Sequence, residues 1–152
     1  MLRARLSEAL KTAMKAHEAR AVSTLRMVLS TLKNRDIAAR DKGNMAGIDD
    51  AEIASMLQGM VKQRRESIAL YEQGNRPELA KQEAEEIAII ESFLPQQLSD
   101  TELEAAVKSA IAATGAVTAK DMGRVMATLR EKHAGQMDFA KASAAAKRLL
   151  QG

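Results

Sequence analysis

An all-α fold is predicted from three features of the 152-residue sequence. Apolar residues recur at three- and four-residue spacing, no segment holds the two-residue alternation of a strand, and the punctuation consists of helix caps and helix stops. Composition agrees with this. Hydrophobic residues make up 46% and charged residues 28%, with eight glycines and two prolines, which is the profile of a packed helical chain rather than a disordered one. Tyr71, Phe93 and Phe139 are the only aromatic residues, so the core has to be built from Leu, Ile, Val, Ala and nine methionines. The length suits one large helical unit with a small helical tail and excludes a multidomain enzyme.

The first helix is expected from Leu2 to about His17, where Leu2, Leu6, Ala9, Leu10, Ala13 and Met14 form one face. A second follows from about Ala19 to Arg40, with Val22, Leu25, Leu29 and Leu32 in a stripe that Ile37 extends. The joint Ala16-His17-Glu18-Ala19 contains no helix breaker and leaves a continuous helix open. Gly43 and Gly47 mark a loop. Asp49 then supplies a complete start signal, with Glu52 three residues on and Ile48 placed to pack on Ile53. The third helix runs to Gln73 through Ile53, Leu57, Met60, Ile68 and Tyr71, and Gly74-Asn75 can turn left-handed and stop it. Pro77 suits the first turn of the fourth helix, which carries Leu79, Ile87, Ile90 and Leu94 and ends by Pro95.

The segment Leu94-Pro95-Gln96-Gln97-Leu98-Ser99 reads as a seam between residues 1–94 and residues 95–152. Beyond it, Ser99 with Glu102 forms a capping box, and Leu98 is placed to meet Leu103. The fifth helix ends at Gly115. Thr118 and Asp121 open the sixth, which carries Val125, Met126 and Leu129 before Gly135, and Asp138 caps an alanine-rich seventh helix ending on Leu149 and Leu150. Three short helices in a tail of this size need their apolar faces closed to be stable.

The formal net charge is +3, but it is unevenly divided along the chain. Residues 1–42 hold ten basic and four acidic side chains, residues 49–91 five basic and ten acidic, and residues 105–152 eight basic and three acidic. Two basic ends therefore flank an acidic middle. They read either as solvated faces complementing the acidic block or as a phosphate-binding surface. The absence of cysteine removes disulfides, thiolate metal sites and cysteine nucleophiles. With no apolar leader and no stretch long enough to span a bilayer, the sequence reads as cytoplasmic and not membrane-bound.

The inventory for chemistry is thin, and no catalytic residue, metal site or cofactor is expected. His17 reads as a surface residue at a joint, and His133 as a cation favoured at the end of the sixth helix. Glu83, Glu85, Glu86 and Glu91 have no His or Asp at ligand spacing, so a solvated or internally paired acidic face is favoured over a metal cluster. In Lys62-Gln63-Arg64-Arg65-Glu66-Ser67, Arg64 lies near the apolar stripe. It either spans to the acidic fourth helix, the favoured reading, or contacts an RNA phosphate.

Three ordered segments resemble the YqeY family. The first is Ala13-Met14-Lys15-Ala16 with Thr24-Leu25-Arg26-Met27-Val28-Leu29-Ser30. The second is Val61-Lys62-Gln63-Arg64-Arg65-Glu66-Ser67 with Tyr71, Arg76-Pro77-Glu78-Leu79-Ala80 and Phe93-Leu94-Pro95-Gln96-Gln97-Leu98-Ser99. The third is Thr114-Gly115-Ala116, Lys120-Asp121-Met122-Gly123-Arg124-Val125-Met126 and His133-Ala134-Gly135. The family usually places a small residue after the aspartate of the last loop, where this chain has Asp138-Phe139. The resemblance implies an N-terminal helical domain and a three-helix tail similar to the end of the GatB component of the tRNA-dependent amidotransferase. That larger enzyme is a carbon-nitrogen ligase of translation with glutamine as amido-N-donor, and its tail helps to hold tRNA. Its catalytic residues have no counterpart here.

Within the tail, Lys120, Arg124, Arg130, Lys132, Lys141, Lys147 and Arg148 are candidates for contacting nucleic-acid phosphates. The helix start after Gly115, with Thr118 as cap and Gly123 in its first turn, would also admit a phosphate, although Asp121 opposes one there. Without aromatic platforms, binding would be directed to the backbone and sensitive to salt. The expected role is a tRNA-binding or amidotransferase-associated accessory protein without catalysis of its own. The alternative is a helical module that docks on a protein partner, and the sequence sets no oligomeric state.

Overall fold

A computed structural model describes residues 1–151. Among them the chain forms seven α-helices and no strand: α1 (Leu2–Lys15), α2 (Ala19–Asp41), α3 (Asp50–Gln73), α4 (Pro77–Glu91), α5 (Asp100–Thr114), α6 (Met122–His133) and α7 (Phe139–Gln151). Their contacts gather into two compact units, Met1–Leu94 and the chain from Pro95 onward.

In the first unit α1 packs on α2 and α3 on α4, and α2 and α1 also meet α4 and α3 respectively. Leu6, Leu25, Val28, Leu32, Ile53, Met56, Leu57 and Ile90 fill the centre. Each large side chain removed from water there contributes about 1.5–3 kcal/mol. The expected stripe on α2 is displaced at its end: Ile37 is 45% exposed, and the core-facing position is taken by Asp36. Asp36 stands four residues after Leu32 and so shares its face, whereas Ile37 is rotated a further 100° outward.

Helix ends explain the segmentation. α1 stops at Lys15 because His17 turns left-handed, at φ 57°. Glu18 N–H then bonds the carbonyl of Ala13 at 3.0 Å, and His17 N–H that of Met14 at 3.2 Å. This is the double closure usual at a terminal glycine, made here by histidine. The same closure ends α3, with Asn75 rather than Gly74 left-handed at φ 56° and Arg76 N–H on the carbonyl of Tyr71 at 2.8 Å. At the start of α3, Asp49 and Glu52 form the expected reciprocal box, at 2.9 and 3.0 Å.

In the second unit, α5, α6 and α7 close on Leu103, Val107, Val125, Met126, Leu129, Ala142, Ala145 and Ala146. The segment after Pro95 lies along the loop that follows α6. Leu98 N–H donates to the carbonyl of Gln136 at 2.8 Å, and the Gln97 amide to that of Gly135 at 2.6 Å. Ser99 caps α5, accepting from Glu102 N–H at 3.2 Å, but the Glu102 carboxylate accepts from the Ser99 hydroxyl at 3.1 Å. Thr118 and Asp121 open a short 3-10 turn, Ala119–Asp121, ahead of α6.

Candidate functional site

The seven tail cations are not equally available. They divide according to what each already holds. On α7, Lys141 and Arg148 are seven residues apart and so share one side. They reach Asp100 at 3.9 Å and Glu104 at 3.1 Å, both on α5. Arg124 folds back on its own helix start, bonding Asp121 at 2.6 Å and the carbonyl of Thr114 at 3.2 Å. Arg130 lies over the Phe139 ring, 5.8 Å from its centroid. Lys120, Lys132 and Lys147 are exposed, and among the described residues no ion pair engages them.

The tail's positive character is accordingly smaller than a division at residue 105 suggests. The whole unit from Pro95 carries eight basic and six acidic side chains, net +2. Three of those acids, Asp100, Glu102 and Glu104, stand at the start of α5. Two of them hold cations of α7.

Asp121 is the most strongly perturbed acid of this unit. Its carboxylate accepts the N–H groups of Val117, at 2.9 Å, and Thr118, at 3.3 Å, together with the Arg124 guanidinium. The Val117 bond is the leading cause, followed by Arg124, and the pKa falls to about 2. Because the folded-state pKa lies below the unfolded one, this contribution is complete above the ordinary carboxylate range and is lost as pH falls through about 2. In a carboxyl-carbon NMR titration Asp121 should stay ionised after the exposed acids have protonated, and a midpoint near theirs would contradict the geometry. The loaded carboxylate also opposes an anion at this helix start. Gly123 has nothing within 4 Å of where a Cβ would stand, so none of the described residues uses the close approach it permits.

Of the two readings the sequence left for the acidic fourth helix, solvated or internally paired, the structure shows pairing at Glu83, Glu85, Glu86 and Glu91. Arg64 is only 7% and Glu86 9% exposed. Arg64 Nε donates to Glu86 at 3.0 Å, its Nη1 to the carbonyl of Met60 at 3.2 Å, and its Nη2 to the Met27 sulfur at 2.9 Å. Glu83 lies 4.0 Å from Arg64. Arg20 adds contacts at 3.4 Å to Glu85 and 3.9 Å to Glu86, while Arg65 bonds Glu91 at 2.6 Å. Burial, followed by the charge of Glu86, raises the pKa of Glu83 above its ordinary value. Arg64 is thus committed to the packing of α3 and α4, not to an external phosphate.

A second buried centre, which the helical spacing alone did not predict, lies on α2. Asp36, 6% exposed, accepts both terminal nitrogens of Arg3 and the N–H of Ile48, the latter at 3.0 Å. Arg3 also donates to the carbonyl of Ile48 at 2.9 Å. The signal available was an acid in the Leu25-Leu32 register of α2. The histidines stand apart from these centres: His17 is exposed, and His133 Nδ1 lies 3.1 Å from the Gln136 side-chain oxygen. Among the described residues no group of three His, Cys, Asp or Glu is placed to hold a metal ion, and no helix is long and apolar enough to cross a membrane.

These features define an all-helical protein of two compact units, with a buried ion pair at Arg64–Glu86 and a part-buried one at Arg3–Asp36 in the first. Within that class, the chain belongs to the YqeY family: the pattern described as Yqey-like protein matches residues 3–150. Among curated proteins it is similar to "Altered inheritance of mitochondria protein 41, mitochondrial" from several fungi. The Vanderwaltozyma polyspora protein is 32% identical over 124 residues, covering 77% of this chain and 64% of the relative. That of Kluyveromyces lactis is 36% identical over 90 residues, 59% of this chain and 46% of the relative. For Lachancea thermotolerans the identity is 32% over 108 residues, 70% and 56%. The chain thus spans about half to two thirds of the length of these relatives.

The cytoplasmic location expected from the sequence is overturned by this finding, since the matched relatives are named as mitochondrial proteins. A cysteine-free composition fits any reducing compartment and cannot single out the cytoplasm.

Proposed function

We propose that the chain is a non-catalytic accessory protein that binds tRNA through its phosphate backbone, in association with tRNA amidation. The observation that carries this reading is the set of exposed tail cations, Lys120, Lys132 and Lys147, that no acid of the chain engages among the described residues. The sequence resemblance of the tail to the end of the amidotransferase component GatB supports the choice of tRNA. With one tyrosine, two phenylalanines and no tryptophan in the chain, base stacking contributes little, and the binding is electrostatic. Arg124, Lys141 and Arg148 enter this reading in a second rank, because an RNA phosphate would have to displace Asp121, Asp100 and Glu104 from them.

The test is retention of unfractionated tRNA by the purified chain across a salt series. Replacing Lys120, Lys132 and Lys147 together by glutamine should flatten the slope of log K against log salt by about 2 to 3. Arg124→Gln should change it less. No retention by a demonstrably folded protein at low salt refutes the reading, and a complex with protein that survives nuclease favours a protein-docking module instead.

A further inference from the structure

The N-terminal unit contains a row of cations that the tail-centred reading does not use. Arg26, Lys33 and Arg40 follow one another at seven-residue spacing on α2. Seven residues fall about 20° short of two full turns and rise about 10.5 Å. The three therefore lie within an arc of about 40° and span about 21 Å along one line of the helix. All three are exposed, on the flank of α2 about 100° round from Leu25, Val28 and Leu32, which are buried in the core.

None of the three is neutralised by an ion pair among the described residues. At three- and four-residue spacing along α2 the only acid near Lys33 or Arg40 is Asp36, and none flanks Arg26. Asp36 is buried and its carboxylate is bonded to Arg3, and only the charge of Arg40 acts on it from this row. By contrast, Arg124, Lys141 and Arg148 of the tail each hold an acid. Sequence charge placed the stronger basic bias in residues 1–42, and the structure leaves this part of it without a direct ion pair among the described residues.

We propose that this line of α2 is a phosphate-contacting surface that takes the backbone of a nucleic acid. The proposal rests on the RNA-binding reading above and adds a second surface to it, carried by the first unit. A narrow linear row matches a line of phosphates. A protein partner would call for an apolar centre to its interface, and between Lys33 and Arg40 the face offers only Ile37. A bilayer would call for an apolar helix face to insert, and that face of α2 is spent on the core.

The experiment compares three full-length proteins: wild type, Arg26→Gln/Lys33→Gln/Arg40→Gln, and Lys120→Gln/Lys132→Gln/Lys147→Gln. Each is titrated with unfractionated tRNA from about 50 to about 200 mM salt, and in parallel with vesicles of phosphatidylcholine and phosphatidylserine. Far-UV circular dichroism confirms the helical fold of each variant. The α2 variant should bind tRNA at least about tenfold more weakly at the lowest salt, with a slope shallower by about 2 to 3. If wild type binds tRNA and the α2 variant keeps the same affinity and slope, the α2 surface is refuted while RNA binding stands. If wild type binds no tRNA, both fall. Vesicle binding that the α2 substitutions alone abolish, with tRNA binding unchanged, assigns the face to anionic lipid and also overturns the proposal.

Discussion

Arg64→Ala should lower the unfolding free energy by about 3 kcal/mol, because it leaves the buried Glu86 carboxylate with only the more distant Arg20, at 3.9 Å. The loss concerns more than one bond. Arg64 also serves the carbonyl of Met60 and the sulfur of Met27, and its charge offsets those of Glu83 and Glu86, which stand one helical turn apart on α4 at 4.0 and 3.0 Å from its Nε. Urea unfolding followed through Tyr71, the sole tyrosine and a residue of α3, reports on this unit. The double variant Arg64→Met/Glu86→Leu should recover most of the loss, since removing both partners of a buried pair is often close to neutral.

A pH signature distinguishes this mechanism from simple loss of side-chain volume. Burial and the Glu86 charge already raise the pKa of Glu83. Without Arg64 the two carboxyl groups face each other with less compensation, so the folded state takes up a proton more readily than the unfolded one. Stability of the variant relative to wild type must then rise as pH falls. The gap should narrow between about pH 7 and about pH 5. A gap constant over that range, or an unchanged urea midpoint, would refute the assignment.

Much of this architecture was legible in the sequence because it is local. The Asp49–Glu52 box, the stop at Asn75 and the start at Pro77 depend on residues a few positions apart, and each stands where its chemistry puts it. The stop at His17 was harder to read, since histidine tolerates a left-handed turn without announcing one as glycine does. The pairing of Arg64 with the acidic helix could be anticipated because a cation beside an apolar stripe needs a buried partner. The division of the tail cations could not. Whether Lys141 and Arg148 are open or bound to Asp100 and Glu104 depends on how α7 lies against α5, and no spacing within either helix contains that information. For Asp36, the adjacent Ile37 diverted the reading: an apolar residue one step out of register looked like a continuation of the stripe, while the acid in register met Arg3 from a different helix.

Gly47→Ala should be one of the most damaging single substitutions outside the apolar core, and Gly43→Ala shows why by contrast. Both glycines lie in the loop between α2 and α3 and both are left-handed, at φ 85° and 96°. A Cβ on Gly43 meets nothing within 4 Å, whereas one on Gly47 would stand 2.8 Å from Cγ of Asp36 and press on its Oδ1. Gly43→Ala therefore costs only its backbone conformation, about 1–2 kcal/mol. Gly47→Ala adds displacement of a carboxylate that holds Arg3 and Ile48 N–H, for a total of about 3–4 kcal/mol. In an Asp36→Ala background the added part disappears, and the two glycine substitutions should become nearly equal. Acid supplies the second arm of the argument. The Arg3 hydrogen bonds are the leading cause that holds the Asp36 pKa below its ordinary value, with Ile48 N–H assisting against the opposing effect of burial. A lowered folded-state pKa gives stability that is present above the unfolded pKa and lost as pH falls through the folded one. The difference in unfolding free energy between wild type and Asp36→Asn should thus be widest near neutrality and close in strong acid. Additive costs for Gly47→Ala and Asp36→Ala, or a wild-type advantage indifferent to pH, would show that the carboxylate does not latch this loop to α1.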